Sequence, residues 1–294
     1  MRYAVRHTTT YTYDDKVSDS LGVAHLAPRV LPWQQVAAHS VTVTPTPVDT
    51  TEDVDFYGNR VTYFQVTEPH EQLVVEGLSD VEVLTPVHSD DVLGGRWDAV
   101  LPLRHPGVPG AWAATDFVID SALVDQVSEA HAYAATSLTA GRPIGEAVTD
   151  LMHRVHADFE YDKTATTVTS TIADILDRRA GVCQDFAHLM LACLRSHGLA
   201  ARYVSGYLAT TPPPGKERIV GADASHAWIE VWLGGDTWLA LDPTNDQWAG
   251  DRYVTVAWGR DYADVPPMKG VIFTEAKRST MRVSVDVAPV VTDA

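Results

Sequence analysis

One stretch governs what this chain can fold into. Val182-Cys183-Gln184-Asp185-Phe186-Ala187-His188-Leu189-Met190-Leu191-Ala192-Cys193-Leu194 is apolar nearly all the way round when wound as a helix, the pattern of a helix buried at the centre of a fold. Gly198 stops it. Other layers have to cover such a helix, and 294 residues suffice for that without disulfide staples. That length allows one large domain or two ordinary ones. Hydrophobic residues at 45% and charged residues at 21% argue against disorder.

The first hundred residues read as β. Tyr3 to Tyr11 is rich in aromatic and β-branched residues, and Val41-Thr42-Val43-Thr44 alternates until Pro45 stops it. Asp55 to Val66 reads as a hairpin with Gly58-Asn59 at its turn, and Gln72 to Leu84 alternates again. The acidic Glu52-Asp53-Val54-Asp55 lacks the spacing of a calcium loop and reads as a solvated turn. Leu101 to Gly110 is dense in Pro and Gly and reads as a linker. Helical patterning follows over Ser121 to Thr139 and from Pro143 to about His156. Thr171 with Asp174 three residues later resembles a capping box, and Gly181 ends that short helix. Strands are expected at Ala201 to Leu208, His226 to Leu233, Thr237 to Leu241 and Arg252 to Trp258. Pro212-Pro213-Pro214-Gly215 reads as an exposed loop, and Met281 to Val287 as a last strand that returns to the opening β region. The expected division is a β-rich region over 1–110, a core carrying the chemistry over 111–265, and a strand segment over 266–294.

Three positions in that core suit one kind of chemistry. Cys183 stands at the first turn of the buried helix, His226 at the start of a strand, and Asp242 at the end of the next. A free thiol, with a pKa of about 8.5, is a poor nucleophile until it loses its proton. Unpaired N–H groups and the dipole at a helix N-terminus favour the anion. A neighbouring histidine takes the proton, and an aspartate holds the imidazole in the useful tautomer. Each residue has a plainer reading: an inert small hydrophobe, a satisfied core histidine, a turn residue before Pro243. Cys193, deep in the helix, is read as inert.

Strand periodicity ties His226 to Asp242. Residues 226, 228, 230 and 232 share one face. A three-residue loop of Gly234-Gly235-Asp236, or another odd count, with a positive-φ glycine as in G1-bulge hairpins, sets Leu233 opposite Thr237 and Trp228 opposite Asp242. Asp242 then lies one diagonal step from His226, about 7–8 Å away and within side-chain reach. An even loop with no compensating bulge would turn Asp242 to the other face.

These blocks resemble a known family. Arg179-Ala180-Gly181-Val182-Cys183-Gln184-Asp185-Phe186-Ala187, Ser225-His226-Ala227-Trp228-Ile229-Glu230-Val231-Trp232 and Trp238-Leu239-Ala240-Leu241-Asp242-Pro243-Thr244 are similar to the cysteine, histidine and aspartate blocks of the transglutaminase-like superfamily. Gly198 to Tyr207 matches its core, and the opening β region with Gly259 to Pro267 resembles its bacterial branch. The resemblance implies an α+β fold with a papain-like core: a helix bearing Cys183 packed on an antiparallel sheet bearing His226 and Asp242, preceded by a β-rich extension. It implies acyl transfer or hydrolysis at carboxamide or peptide bonds through a thioester, with a protein or peptide as substrate. The Cys183 backbone N–H belongs to the implied oxyanion hole. Tyr161 is the candidate second donor, against a reading as a half-buried aromatic. Trp228 and Trp232 either wall the cleft or pack in the core.

Composition narrows the alternatives. With 22 basic and 39 acidic residues the net charge is −17, which argues against a nucleic-acid or anionic-membrane partner. No leader pattern or membrane-length apolar run is present, and two cysteines do not make a secreted framework, so a cytoplasmic location is expected. On one helix the two lie roughly 15 Å apart, beyond the about 7 Å a disulfide spans. No phosphate-binding or cofactor motif occurs, and no cofactor or metal is expected. His153 and His156 stand at i, i+3, but as a zinc pair they lack two further ligands, with Asp158 the local candidate. A non-catalytic binding module on the same fold is the alternative function. Nothing in the sequence speaks to oligomeric state.

Overall fold

The computed structural model describes residues 1–210 and 225–290. The segment 212–215, read from the sequence as a loop, lies outside the described residues. The chain opens with β1 (Arg2–Ala24), β2 (Gln34–Thr44), β3 (Asp49–Val54), β4 (Arg60–Val66) and β5 (His70–Val83). Then come α1 (Asp90–Gly94), α2 (Ala111–Ala114), α3 (Ser128–Ala134), α4 (Ile144–Asp158), the short β6 (Glu160–Tyr161), α5 (Ile172–Arg178), the short β7 (Ala180–Gly181) and α6 (Cys183–Ser196). β8 (Ala201–Leu208), β9 (Ser225–Gly234), β10 (Thr237–Asp242), β11 (Gln247–Trp248) and β12 (Tyr253–Gly259) follow, and β13 (Met268–Thr274) and β14 (Ser279–Pro289) close the chain.

Two antiparallel sheets organise the fold. The first runs β2-β5-β1-β4-β3, with β13 and β14 also paired to β1. β1 is long enough to serve two sets of neighbours: Tyr3 to Thr12 pair with β5 and β14, and Ser20 to Ala24 with β4 and β13. Its alternation sends Tyr3, Val5 and His7 inward. The second sheet runs β11-β10-β9-β8-β12, and α6 lies across β8 and β9. One core joins them: Tyr3, Val5, Val285 and Val287 of the first sheet are buried with Leu189, Met190 and Ile229. His7 Nδ1 meets the Tyr207 hydroxyl at 3.1 Å across the same seam. This is the α+β architecture implied by the sequence blocks.

Several local readings shift. The β3–β4 turn spans residues 55–59, because the Asp55 carboxylate accepts the N–H groups of Tyr57 and Asn59 at 2.9 and 2.8 Å and keeps them out of the ladder. Glu52, Asp53 and Val54, read as a turn, are exposed strand. The 101–110 segment is packed rather than free: Leu101 is core, and the Gly235 N–H donates to the Pro109 carbonyl at 2.8 Å. Helix α3 is shorter than the Ala-rich pattern suggested, since Ser121 and Val124 bridge in a turn whose Leu123 N–H donates to Asp261. The Thr171–Asp174 capping box is present, but α5 ends at Arg179, which takes left-handed φ 53. Gly181 serves another end: a Cβ there would fall 2.7 Å from the Cβ of Asp185.

Gly206, on β8 opposite His226, makes the closest approach in the second sheet. A Cβ there would sit 2.2 Å from the Val254 carbonyl oxygen and 2.5 Å from the Trp228 ring. Overpacking of this kind costs about 1–3 kcal/mol or more, since backbone must move. Gly206→Ala is therefore expected to lower the melting temperature by several degrees, read by calorimetry; an unchanged transition would refute the close packing.

Candidate active site

Cys183 opens α6, where first-turn N–H groups have no partner within the helix. The end of this helix is fixed by Asp185, whose carboxylate accepts the Val182 N–H at 2.7 Å and the Thr166 hydroxyl at 2.6 Å. Burial pushes the Asp185 carboxyl above the usual carboxylate range, and those two hydrogen bonds oppose the shift. Only the absence of a side chain at Gly181 leaves room for it.

The β9–β10 hairpin sets the partners. Gly234 pairs with Thr237, so the loop is the two residues Gly235-Asp236 and not the three expected. A bulge at Leu233 absorbs the difference, and Gly234 and Gly235 take φ +101 and +57. Beyond it Trp232 meets Trp238 and Ile229 meets Leu241. One step further, Asp242 stands across from Trp228 on the face of His226.

The side chains then meet. His226 Nε2–H donates to Asp242 Oδ2 at 2.7 Å, and the Cys183 sulfur is a hydrogen-bond partner of the same ring. With Nε2 committed, Nδ1 is the nitrogen left to face the sulfur. Burial alone would lower the His226 pKa; hydrogen bonds and charge from Asp242 and Cys183 outweigh it and push the pKa up to about 10. Asp242 is fully buried. Burial would raise its pKa, but His226 first, then Asn245 and Tyr253, hold it below the usual carboxylate range. Five donors converge on it: His226, Asn245 Nδ2 and the Tyr253 hydroxyl on Oδ2, and the Thr244 and Asn245 N–H groups on Oδ1.

Asn245 and Tyr253 did not emerge from the sequence. Asn245 follows Asp242 by three residues, at the offset where Asx-type turns close, and that spacing could have flagged it. Tyr253 reaches Asp242 from a strand outside the hairpin, with no local signal. Tyr161 is 49% exposed and pairs with Gly181, two residues before Cys183, through the β6–β7 ladder. Burial and the Cys183 charge raise its phenol pKa.

Trp228 does not wall an open cleft. It is 1% exposed, packed edge-on against Tyr253 and tilted against the His226 ring, and among the described residues its Nε1 has no hydrogen-bond partner. Trp232 lies in a separate cluster with Phe117 and Ala200. Cys193 is fully buried, and burial pushes its thiol up to about 12. The Nδ1 atoms of His153 and His156 engage Asp246 and Thr244. Among the described residues no three His, Cys, Asp or Glu side chains gather as a metal site. No helix among them is long and apolar enough to cross a membrane.

A thiol, an imidazole and a carboxylate thus come together between the start of a buried helix and an antiparallel sheet. The chain belongs to the transglutaminase-like superfamily. Residues 130–243 match the superfamily core, and residues 3–82 match the bacterial transglutaminase-like N-terminal region. An uncharacterized protein of Mycobacterium tuberculosis (strain H37Rv) is 45% identical over 300 residues, covering 100% of this chain and 94% of its own length. A protein-glutamine gamma-glutamyltransferase of Pseudomonas aeruginosa is 34% identical over 127 residues, 42% of this chain and 18% of that protein. The crystal structure of a "putative cysteine protease" from Cytophaga hutchinsonii shares the fold, with TM-score 0.75 at 21% identity, covering 100% of this chain and 92% of that one.

Proposed function

We propose that this protein is a cysteine acyltransferase or amidase acting on carboxamide or peptide bonds of a protein or peptide. The observation that carries the reading is the imidazole of His226 held between the Cys183 sulfur and a buried carboxylate. In this reading Cys183, His226 and Asp242 are the catalytic residues. The sulfur attacks the carbonyl carbon and a C–S bond forms while the C=O pair moves to oxygen. In this reading the Cys183 N–H stabilises that oxygen, with the Tyr161 hydroxyl as its second donor. His226 gives its proton to the leaving nitrogen and the C–N bond breaks, leaving a thioester. Water or an amine then attacks, His226 takes its proton, and the C–S bond breaks. Residues 111–265 supply this chemistry, and 1–110 with 266–294 brace it. The reading places the protein in the cytoplasm, supported by two unpaired thiols.

Alkylation tests it. Iodoacetamide is expected to label Cys183 in the native protein well below pH 8, and to leave Cys193 unlabelled. Labelling of Cys183 no faster than a free thiol would favour a binding module on the same fold.

A further inference from the structure

Thr149, His153 and His156 stand at i, i+4 and i+7 on α4, the spacing that lines one helix face. Each bonds one residue of the segment that follows Asp242. The Trp248 Nε1–H donates to Thr149 Oγ1 at 2.9 Å, His153 Nδ1–H to Asp246 Oδ1 at 2.5 Å, and His156 Nδ1–H to the Thr244 carbonyl at 3.1 Å. The partners lie in the turn of residues 243–246 and in the short β11 that pairs back onto β10, so three positions of one α4 face hold the chain where it reverses.

The segment needs such a hold. Asp246 takes φ 55, a left-handed conformation that costs a non-glycine residue about 1–2 kcal/mol. Conformations of that kind persist where surrounding contacts impose them. Between the points of attachment lies Asn245, whose side chain and N–H both bind Asp242 and whose Nδ2 is 3.3 Å from His226 Nε2.

We infer that this face of α4 is a splint for the turn after Asp242, and that His153 is a positioning residue for the Cys183–His226–Asp242 group. The inference rests on the function proposed above. His153 and Asp246 are both partly exposed, so their pair adds little to global stability, about 0–1 kcal/mol. Its effect falls on placement: it orients the turn that aims Asn245 and the carboxylate at the imidazole. Small displacements of such groups weigh heavily on reactivity.

The test compares iodoacetamide alkylation of Cys183 near pH 6 in the full chain and four variants: His153→Ala, His153→Asn, Asp246→Gly and Asp242→Ala. His153→Ala is expected to slow alkylation about 3- to 10-fold with the melting temperature nearly unchanged. His153→Asn places an amide donor where Nδ1 stood and is expected to restore the rate. Asp246→Gly, which permits the left-handed φ but removes the acceptor, is expected to be slow like the alanine variant. An unaltered rate in His153→Ala, or equal slowing by Asn and Ala, overturns the splint while leaving the function standing. Wild-type protein no faster than Asp242→Ala sinks the proposed function, and the splint with it.

Discussion

Replacing Asp242 by alanine is expected to slow alkylation of Cys183 near pH 6 by on the order of a hundredfold, because a free thiol there is roughly 0.3% thiolate. The argument turns on which effect wins at His226. Burial is the largest influence on the ring and disfavours its charge; Asp242 is the main opposing influence. Without the carboxylate, burial prevails, the imidazole becomes neutral, and the sulfur loses its cationic partner. Asp242→Asn keeps the shape but not the charge and is expected to fall close to the alanine variant.

Stability should report the same balance. A histidine whose folded pKa is raised stabilises fully below its unfolded value of about 6.5, and that contribution disappears as pH rises through about 10. Asp242, with its pKa depressed, contributes above about pH 4 and loses that contribution as pH falls through the folded value. The wild-type advantage over Asp242→Ala is thus expected to be largest near pH 6 and to shrink toward pH 10. Urea unfolding across that range measures it, and a constant difference would show that the carboxylate acts through shape alone.

Local rules carry a reader of the sequence a long way toward this site, and then stop for identifiable reasons. A buried helix is legible in residues 182–194 because no face of it is polar. The common face of His226 and Asp242 follows from a period of two, whatever the loop does, as long as the parity is kept. The loop differs from the expectation in count but not in kind: positive-φ glycines are present, and a two-residue turn with a bulge at Leu233 gives the same downstream register as three loop residues, which pattern alone does not separate. Trp228 shares a face with His226, but its depth depends on Gly206, which stands opposite His226 and leaves room for the ring, and on Tyr253 two strands away. Tyr253 and the α4 stripe are contacts between distant segments, invisible to any window of neighbouring residues. The same limit explains the 101–110 segment, whose Pro and Gly signal irregular backbone but cannot say what the backbone rests on.

Glu230→Leu is expected to destabilise the protein by about 3–5 kcal/mol, the usual consequence of stranding a buried charge. Glu230 and Arg202 face one another across β9 and β8, both buried, with Arg202 Nε–H donating to Glu230 Oε2 at 2.6 Å. Burial pulls the Arg202 pKa down, and Glu230 opposes it. A second guanidinium stands close by: Arg29 lies 3.4 Å from the Trp258 ring centre, and Arg202 lies 3.5 Å from the same ring and 4.1 Å from that of Trp238. Aromatic faces help to hold such cations but do not replace a carboxylate; each contact contributes about 0.5–2 kcal/mol. Removing Glu230 alone therefore leaves two neighbouring cations with one fewer anion, whereas Arg202→Met together with Glu230→Leu removes charge and counter-charge at once. The double variant is expected to recover most of the loss. Denaturant unfolding of both singles and the double decides it. Equal stability of Glu230→Leu and the double variant would mean that packing, not the stranded guanidinium, sets the cost. Because Glu230 sits between Trp228 and Trp232 on the face that bears His226, the destabilised single variant is also expected to alkylate more slowly at Cys183 than the double.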